Sequence, residues 1–136
     1  MPADQQISAT VCLLDDDLSV LKATGRLVRA AGLEVKTFSD PYAFLQHAHE
    51  HHPRVAVIDI WMPAMNGLEV QSRIRSIAPE TRVIVLTSKD DPAIHAKAIE
   101  GGAFAFFLKP VAGDEFLESV RTALNGTLES HAEDAA

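Results

Sequence analysis

Five polar side chains stand at the ends of short apolar runs in this sequence, and together they could bind a cation and a phosphoryl group. They are Asp15, Asp16, Asp59, Thr87 and Lys109. Three carboxylates supply the oxygen ligands that Mg²⁺ prefers, and a lysine ammonium can pair with a phosphoryl oxygen while a hydroxyl donates a hydrogen bond to another. A carboxylate in these surroundings can act as a nucleophile and form an aspartyl-phosphate. The residue types therefore predict phosphoryl-transfer chemistry assisted by a divalent cation.

The apolar runs that precede these side chains have the composition of strands buried on both faces. The runs are VCLL before Asp15, VAVI before Asp59, VIVL before Thr87 and FAFFL before Lys109. Near-continuous runs of this kind are typical of parallel sheets. Because the carboxyl ends of parallel strands meet at one edge of a sheet, we expect all five side chains to lie there.

Helix-length segments alternate with these strands. The first predicted helix covers Leu18 to Ala31 and ends before Gly32, a residue type that commonly follows a helix. Aspartate before proline marks two further helix starts. Asp40-Pro41 begins the second predicted helix, and Asp91-Pro92 begins the fourth. The third predicted helix covers Leu68 to Ser76, after Asn66-Gly67, and the fifth runs from Gly113 to Asn125-Gly126. An alternating strand is predicted at 33–38. Five strands alternating with five helices predict an α/β, (βα)5 fold with a doubly wound parallel sheet.

Size and composition limit the function classes. A chain of 136 residues with 47% hydrophobic residues can bury one core, and its net charge of −7 disfavours direct binding to nucleic acid. No apolar run approaches the roughly 20 residues that span a bilayer, and the N-terminus does not resemble a signal peptide. With a single cysteine and therefore no internal disulfide, we expect a cytoplasmic protein. We predict a disordered segment 1–9, one domain at 10–125 and a polar acidic tail at 126–136.

Four motifs occur in the order and spacing of a known family: VCLLDDD, VAVIDIWMPAMNG, VIVLTS and GGAFAFFLKP. Over about residues 10–124 the chain resembles the receiver domain of bacterial two-component response regulators, the CheY-like family. The resemblance implies a flavodoxin-like sheet with strand order 2-1-3-4-5. It also implies that Asp59 is the phosphoacceptor, that Thr87 and Lys109 bind the phosphoryl group, and that the bond from Lys109 to Pro110 is cis.

The resemblance further implies a site for Mg²⁺, with Mn²⁺ as an alternative. In it Asp16 is a direct ligand, Asp15 acts mainly through bound water, and Asp59 and the backbone carbonyl of Trp61 are further ligands.

A conformational switch is also implied, in which Thr87 moves toward the phosphoryl group and the ring of Phe106 turns inward. This motion would remodel the face made by the fourth helix, fifth strand and fifth helix. Trp61, Ser88 and Lys89 are expected to modulate the lifetime of the phosphorylated state, because positions two residues after the acceptor and after Thr87 flank the path of the hydrolytic water.

Partners follow from the same resemblance. The phosphoryl donor would be a sensor histidine kinase or a histidine phosphotransfer protein, and the target would be a downstream protein or a second copy of the chain. We expect the chain to catalyse only its own phosphorylation and dephosphorylation. Two alternatives are a receiver fragment of a longer DNA-binding response regulator and a phosphorylation-independent docking module. A flavin carrier of the same topology is disfavoured, because Asp15, Asp16 and Asp17 would repel the flavin phosphate.

Other reactive residue types receive structural interpretations. Asp17 is predicted to cap the first helix, and Cys12 to be a small core residue. The four histidines at positions 47, 49, 51 and 52 are interpreted as a solvated helix end, since the sequence places no clear acidic or thiol partner with them. Three apolar residues of the fifth strand region are assigned to the core: Phe104, Phe107 and Leu108.

Overall fold

The computed structural model describes residues 8–125. Residues 1–7 of the predicted disordered N-terminus and the whole predicted tail at 126–136 lie outside the described residues. Ser8 and Ala9, which were assigned to the disordered segment, instead belong to the first strand. The reason is that Ser8 pairs with Pro53 and so lengthens the strand at its amino end.

Strands and helices alternate along the chain as predicted. The strands are β1 (Ser8–Leu14), β2 (Val35–Phe38), β3 (Pro53–Asp59), β4 (Arg82–Thr87) and β5 (Ala105–Leu108). The helices are α1 (Leu18–Ala30), α2 (Pro41–His51), α3 (Gly67–Ile77), α4 (Pro92–Glu100) and α5 (Gly113–Asn125). None of the helices within 8–125 is both long and apolar enough to cross a membrane.

The five strands form one parallel sheet in the order β2-β1-β3-β4-β5, which confirms the predicted fold and strand order. Alternate side chains of each strand enter two separate cores, because successive residues of a strand point to opposite faces. Cys12 and Leu14 pack on the face covered by α2, α3 and α4, whereas Val11 and Leu13 pack on the face covered by α1 and α5.

Side-chain caps set the beginnings of the helices that follow the site. Asp17 caps α1, as predicted, by accepting hydrogen bonds from the backbone N–H groups of Ser19 and Val20 at 2.9 and 3.2 Å. Asp40, Asn66 and Asp91 cap α2, α3 and α4. Because these caps follow the carboxyl ends of the strands, each helix starts at the edge that carries the polar cluster.

The edge strands depart from the sequence prediction. β2 begins at Val35 rather than at residue 33, and β5 begins at Ala105 rather than at Phe104. The assignment of Leu108 to the core is wrong, because this last residue of an edge strand is 43% exposed. Phe104 and Phe107 are only partly buried, although both pack against the core on the α1 and α5 side.

Candidate functional site

The carboxyl ends of four strands bring together the polar side chains singled out from the sequence. Asp15, Asp16 and Asp59 each offer a carboxylate oxygen, and these atoms lie within 4.8 Å of one another. The Nζ atom of Lys109 lies 2.7 Å from Asp15 Oδ2 and 3.0 Å from Asp59 Oδ1. Thr87 ends β4 beside them and is fully buried. The predicted convergence at one sheet edge is therefore confirmed.

Burial dominates the electrostatics of Asp59. This side chain is 3% exposed, and burial raises the pKa of its carboxyl group from 3.8 to about 6. The charges of Asp15 and Asp16 act in the same direction, whereas the hydrogen bond and charge of Lys109 lower the pKa. Desolvation is therefore the larger cause of the raised pKa, and repulsion between the crowded carboxylates adds to it.

Lys109 is held as a cation between two carboxylates. Burial lowers the pKa of its ammonium group, but the hydrogen bonds and charges of Asp15 and Asp59 outweigh burial, so that the pKa is raised overall. The ammonium therefore remains charged, and it partly neutralises a site that otherwise holds three acidic groups.

The carboxylate arrangement fits a hard divalent cation. The backbone N–H of Asp17 donates a hydrogen bond to Asp15 Oδ1 at 2.9 Å, which fixes the orientation of this carboxylate. Its other oxygen, Asp15 Oδ2, is buried, and its partner among the described residues is the Lys109 ammonium at 2.7 Å. An oxygen of this kind, next to the exposed Asp16 and the buried Asp59, is a suitable ligand for Mg²⁺ or Mn²⁺.

Two side chains predicted to modulate the site contact each other. The Nζ atom of Lys89 lies 5.0 Å from the ring centroid of Trp61, which is a cation–π contact. Trp61 is 37% exposed and follows β3 two residues after Asp59. Ser88 and Lys89 are both exposed on the loop after β4.

The backbone around Thr87 ties β4 to its neighbours. The Thr87 carbonyl accepts a hydrogen bond from Lys109 N at 2.8 Å, and Thr87 Oγ1 accepts one from Lys89 N at 3.2 Å. The peptide bond from Lys109 to Pro110 is cis, as the family resemblance implied.

Phe106 has a neighbour that sequence reasoning missed. The imidazole of His95 on α4 stacks on the Phe106 ring with centroids 4.2 Å apart and planes inclined by 6°. No short-range signal connects the two residues, since they lie on different elements and meet only when α4 packs on β5.

A glycine brings α3 close to the backbone of the site. Gly67 N donates a hydrogen bond to Ile60 O at 2.9 Å. A Cβ atom at Gly67 would overlap Asp59 O and lie 2.8 Å from Ile60 Cα. Only glycine therefore permits this contact, which supports the backbone that carries Asp59. The sequence indicated a helix start at Asn66-Gly67 but not the contact with β3.

The remaining reactive residues are placed as follows. Cys12 is fully buried, and burial raises the pKa of its thiol to about 12, in agreement with its assignment as a core residue.

The statement that the histidines lack acidic partners is wrong: His52 Nδ1 lies 2.8 Å from Glu80 Oε2, and His51 Nε2 lies 3.9 Å from Glu50 Oε1. Folding brings Glu80 to His52 from 28 positions away along the chain.

Comparisons with known proteins agree with this geometry. Residues 11–121 match the family described as response regulator receiver domain. The chain is 36% identical over 116 residues to response regulator protein TmoT of Ectopseudomonas mendocina, covering 85% of this chain and 53% of that protein. It is 35% identical over 117 residues to TodT of Pseudomonas putida, covering 86% of this chain and 52% of that protein. The chain thus spans about half the length of the curated relatives it matches.

Solved structures give the same result. A response regulator receiver domain protein from Clostridium thermocellum aligns with a TM-score of 0.80 at 28% identity, covering 85% of this chain and 94% of that one. The signal receiver domain of NarL from Mycobacterium tuberculosis aligns with a TM-score of 0.78 at 30% identity, covering 88% and 98%.

Proposed function

Because the chain belongs to the response regulator receiver domain family of two-component systems, we propose that it is a phosphoacceptor switch with Asp59 as the acceptor. The phosphoryl donor in this proposal is the phosphohistidine of a sensor histidine kinase or of a histidine phosphotransfer protein. The chain catalyses its own phosphorylation and dephosphorylation and signals through protein contacts.

The observation that carries this proposal is the setting of the Asp59 carboxylate. It is buried at the end of a strand, paired with Lys109 at 3.0 Å and grouped with two further carboxylates. With a pKa of about 6, most of the carboxylate is ionised at neutral pH and can attack phosphorus. A carboxylate with a purely structural role has no need of this costly grouping of buried charges.

The proposed transfer is an in-line displacement. One carboxylate oxygen of Asp59 forms a bond to phosphorus while the bond from phosphorus to the donor histidine nitrogen breaks, and the histidine keeps the electron pair and takes up a proton. Lys109 then pairs with a phosphoryl oxygen, and the Thr87 hydroxyl donates a hydrogen bond to another. These groups act by positioning and by neutralising charge, which is where most catalysis of phosphoryl transfer originates.

A divalent cation completes the proposed site. Mg²⁺, or Mn²⁺ in its place, would be held by Asp16 directly, by Asp15 mainly through water, and by Asp59 and the backbone carbonyl of Trp61. When bound, it neutralises the carboxylates and a phosphoryl oxygen together, so that a dianionic phosphoryl group can approach Asp59.

The proposed output follows from the position of Thr87 beside β5. Movement of its hydroxyl toward the phosphoryl group vacates space for the ring of Phe106, which is partly buried against the core next to β4. Inward rotation of this ring changes the face formed by α4, β5 and α5. A downstream protein, or a second copy of the chain, would distinguish the two states of this face.

A second candidate is that this receiver belongs to a longer DNA-binding regulator. One relative is the C4-dicarboxylate transport transcriptional regulatory protein DctD of Pseudomonas aeruginosa, 34% identical over 123 residues, of which the chain covers 26%. In that arrangement the switched face would act on further domains of the same protein. The phosphoacceptor chemistry is the same in both candidates.

Labelling with radioactive acetyl phosphate tests the acceptor. We expect the wild type to incorporate label only when Mg²⁺ is present, and hydroxylamine to release the label, as it does from acyl phosphates. Asp59→Asn should abolish incorporation, because an amide is not a nucleophile for phosphorus.

Asp17→Asn is the matched control, since asparagine caps a helix about as well as aspartate. It changes a neighbouring carboxylate in the same way but should label like the wild type. Undiminished labelling of Asp59→Asn, or equal losses in both variants, would contradict the assignment of Asp59.

A further inference from the structure

The last two turns of α2 carry a group of side chains outside the phosphoacceptor site. His47 and His51 are four residues apart, and their imidazole centroids lie 4.5 Å apart with planes inclined by 33°. Residues spaced by four lie on the same face of a helix. In a parallel sheet, each helix runs back from the carboxyl edge of the strands toward their amino edge. The C-terminal end of α2 therefore lies away from Asp59 and its neighbours.

We propose that His47 and His51 form a binding site for a borderline divalent transition-metal ion of the Zn²⁺, Ni²⁺ and Cu²⁺ class. Imidazole nitrogen is a preferred ligand for these ions, whereas Mg²⁺ prefers oxygen. Ligands about 2 Å from one tetrahedral ion lie roughly 3–3.5 Å from each other. The observed ring separation lets two nitrogens reach this spacing through small side-chain rotations. Water or other ligands would fill the remaining positions.

Packing against Phe38 holds the imidazole ring of His47 in place. Its ring lies 5.1 Å from the ring of Phe38, which in turn packs at 5.6 Å against the buried Phe44. An imidazole held in this way loses little side-chain freedom when it binds an ion. Burial, the neighbouring His51 and the charge of Lys36 lower the pKa of His47, and Glu50 opposes them. A lowered pKa favours the neutral ring, which is the form that binds metals.

Glu50 provides the carboxylate that commonly accompanies a metal-binding histidine. Its Oε1 atom lies 3.9 Å from His51 Nε2. It follows His47 by three positions and so lies on the same helix face. Histidine, glutamate three positions later and histidine four positions later also occur in one class of zinc-binding helix. At 3.9 Å Glu50 makes no hydrogen bond to His51, but its negative charge would offset the charge of the ion.

Among the residues at 8–125, Lys36 carries a positive charge that opposes the binding of a cation at this site. Its Nζ atom lies 5.9 Å from the Phe38 ring centroid, and its charge acts on His47. Replacing it by glutamine should therefore strengthen metal binding, although Lys36 is not a ligand. The site does not depend on Asp59 or on the proposed phosphorylation.

Calorimetric titration with Zn²⁺ tests the site, using tag-free protein at pH 7.5 with excess Mg²⁺ to occupy the carboxylate cluster. His51→Gln should raise the dissociation constant about tenfold or more, and His47→Gln should do the same. His49→Gln is the matched control, because His49 is exposed on the same helix two residues from both histidines and so faces elsewhere. Lys36→Gln should lower the constant.

A second measurement separates binding from folding. Saturating Zn²⁺ should raise the melting temperature of the wild type and of Asp16→Ala, but not that of His51→Gln, whose exposed side chain can be changed without disturbing the core. Equal binding by the wild type and the His47→Gln/His51→Gln double variant would overturn the proposal. An equal loss in His49→Gln would also overturn it, since binding would then be a diffuse property of a histidine-rich surface.

Discussion

Replacing the proposed phosphoacceptor by its neutral analogue should stabilise the protein in metal-free buffer. Burial raises the pKa of the Asp59 carboxyl from 3.8 to about 6, so the folded state binds its proton more tightly than the unfolded state. The free energy of unfolding must then fall as pH rises from about 4 to about 6, and it stays low above that range. Asp59→Asn removes the ionisable group and with it this cost.

The size of the effect follows from the shift in pKa. About two pKa units correspond to about 3 kcal/mol at pH values above both pKa values. No discount for solvent is needed, because Asp59 is only 3% exposed. The net shift already contains the opposing hydrogen bond and charge of Lys109, and the amide oxygen of asparagine can still accept a hydrogen bond from the ammonium. Lys109 keeps its ion pair with Asp15 at 2.7 Å. We therefore expect Asp59→Asn to raise the free energy of unfolding by about 3 kcal/mol at pH 7.5.

Urea unfolding followed by circular dichroism, with a chelator present, measures this difference. The gain should be nearly absent at pH 4, and Mg²⁺ should reduce it at pH 7.5 by stabilising the wild type. Glu118→Gln, which neutralises an exposed carboxylate on α5, is the control and should change stability little at either pH. An Asn variant no more stable than the wild type at pH 7.5, or a gain independent of pH, would refute the reasoning.

Three further predictions concern the cation, the phosphoryl lifetime and the packing of the site. Asp16→Ala should weaken Mg²⁺ binding far more than Asp17→Ala in a fluorescence titration, because the Asp17 side chain caps a helix. Equal losses of Mg²⁺ affinity in the two variants would contradict the assignment of Asp16 as a direct ligand. Trp61→Ala should change the rate of autodephosphorylation several-fold, which corresponds to about 1 kcal/mol in the activation barrier, because it alters the access of water to the phosphoryl group. Superimposable decay curves for the wild type and the variant would contradict this. Gly67→Ala should lower the free energy of unfolding by about 1–3 kcal/mol through overlap with the β3 backbone, whereas Gly113→Ala should cost much less, and equal losses would oppose this account.

The sequence predicts most of the scaffold because its signals are local. Buried strands, aspartate caps and a glycine after α1 each depend on a few consecutive residues, and Gly32 indeed has a positive φ of 86°. The convergence of Asp15, Asp59 and Lys109 could also be predicted, since parallel strands force their carboxyl ends to one edge. Predictions made on these grounds are confirmed to within one or two residues for α1, α3 and β2.

Features that depend on packing between distant elements could not be predicted. The stack of His95 on Phe106 needs the position of α4 on β5, and the pairing of His52 with Glu80 needs two loops to meet. The exposure of Leu108 depends on β5 being an edge strand with no neighbour on one side. Composition assigns such a residue to the core, and only the tertiary structure corrects this.

Identification of the modified residue tests the central claim most directly. The protein is phosphorylated with acetyl phosphate and Mg²⁺, the acyl phosphate is reduced with borohydride, and the peptides are sequenced by mass spectrometry. This treatment converts a phosphorylated aspartate to homoserine. We predict one homoserine per phosphorylated chain, at position 59 alone. Homoserine at position 15 or 16, or a phosphoryl group retained on a hydroxyl or imidazole, would contradict the assignment of Asp59 as the phosphoacceptor.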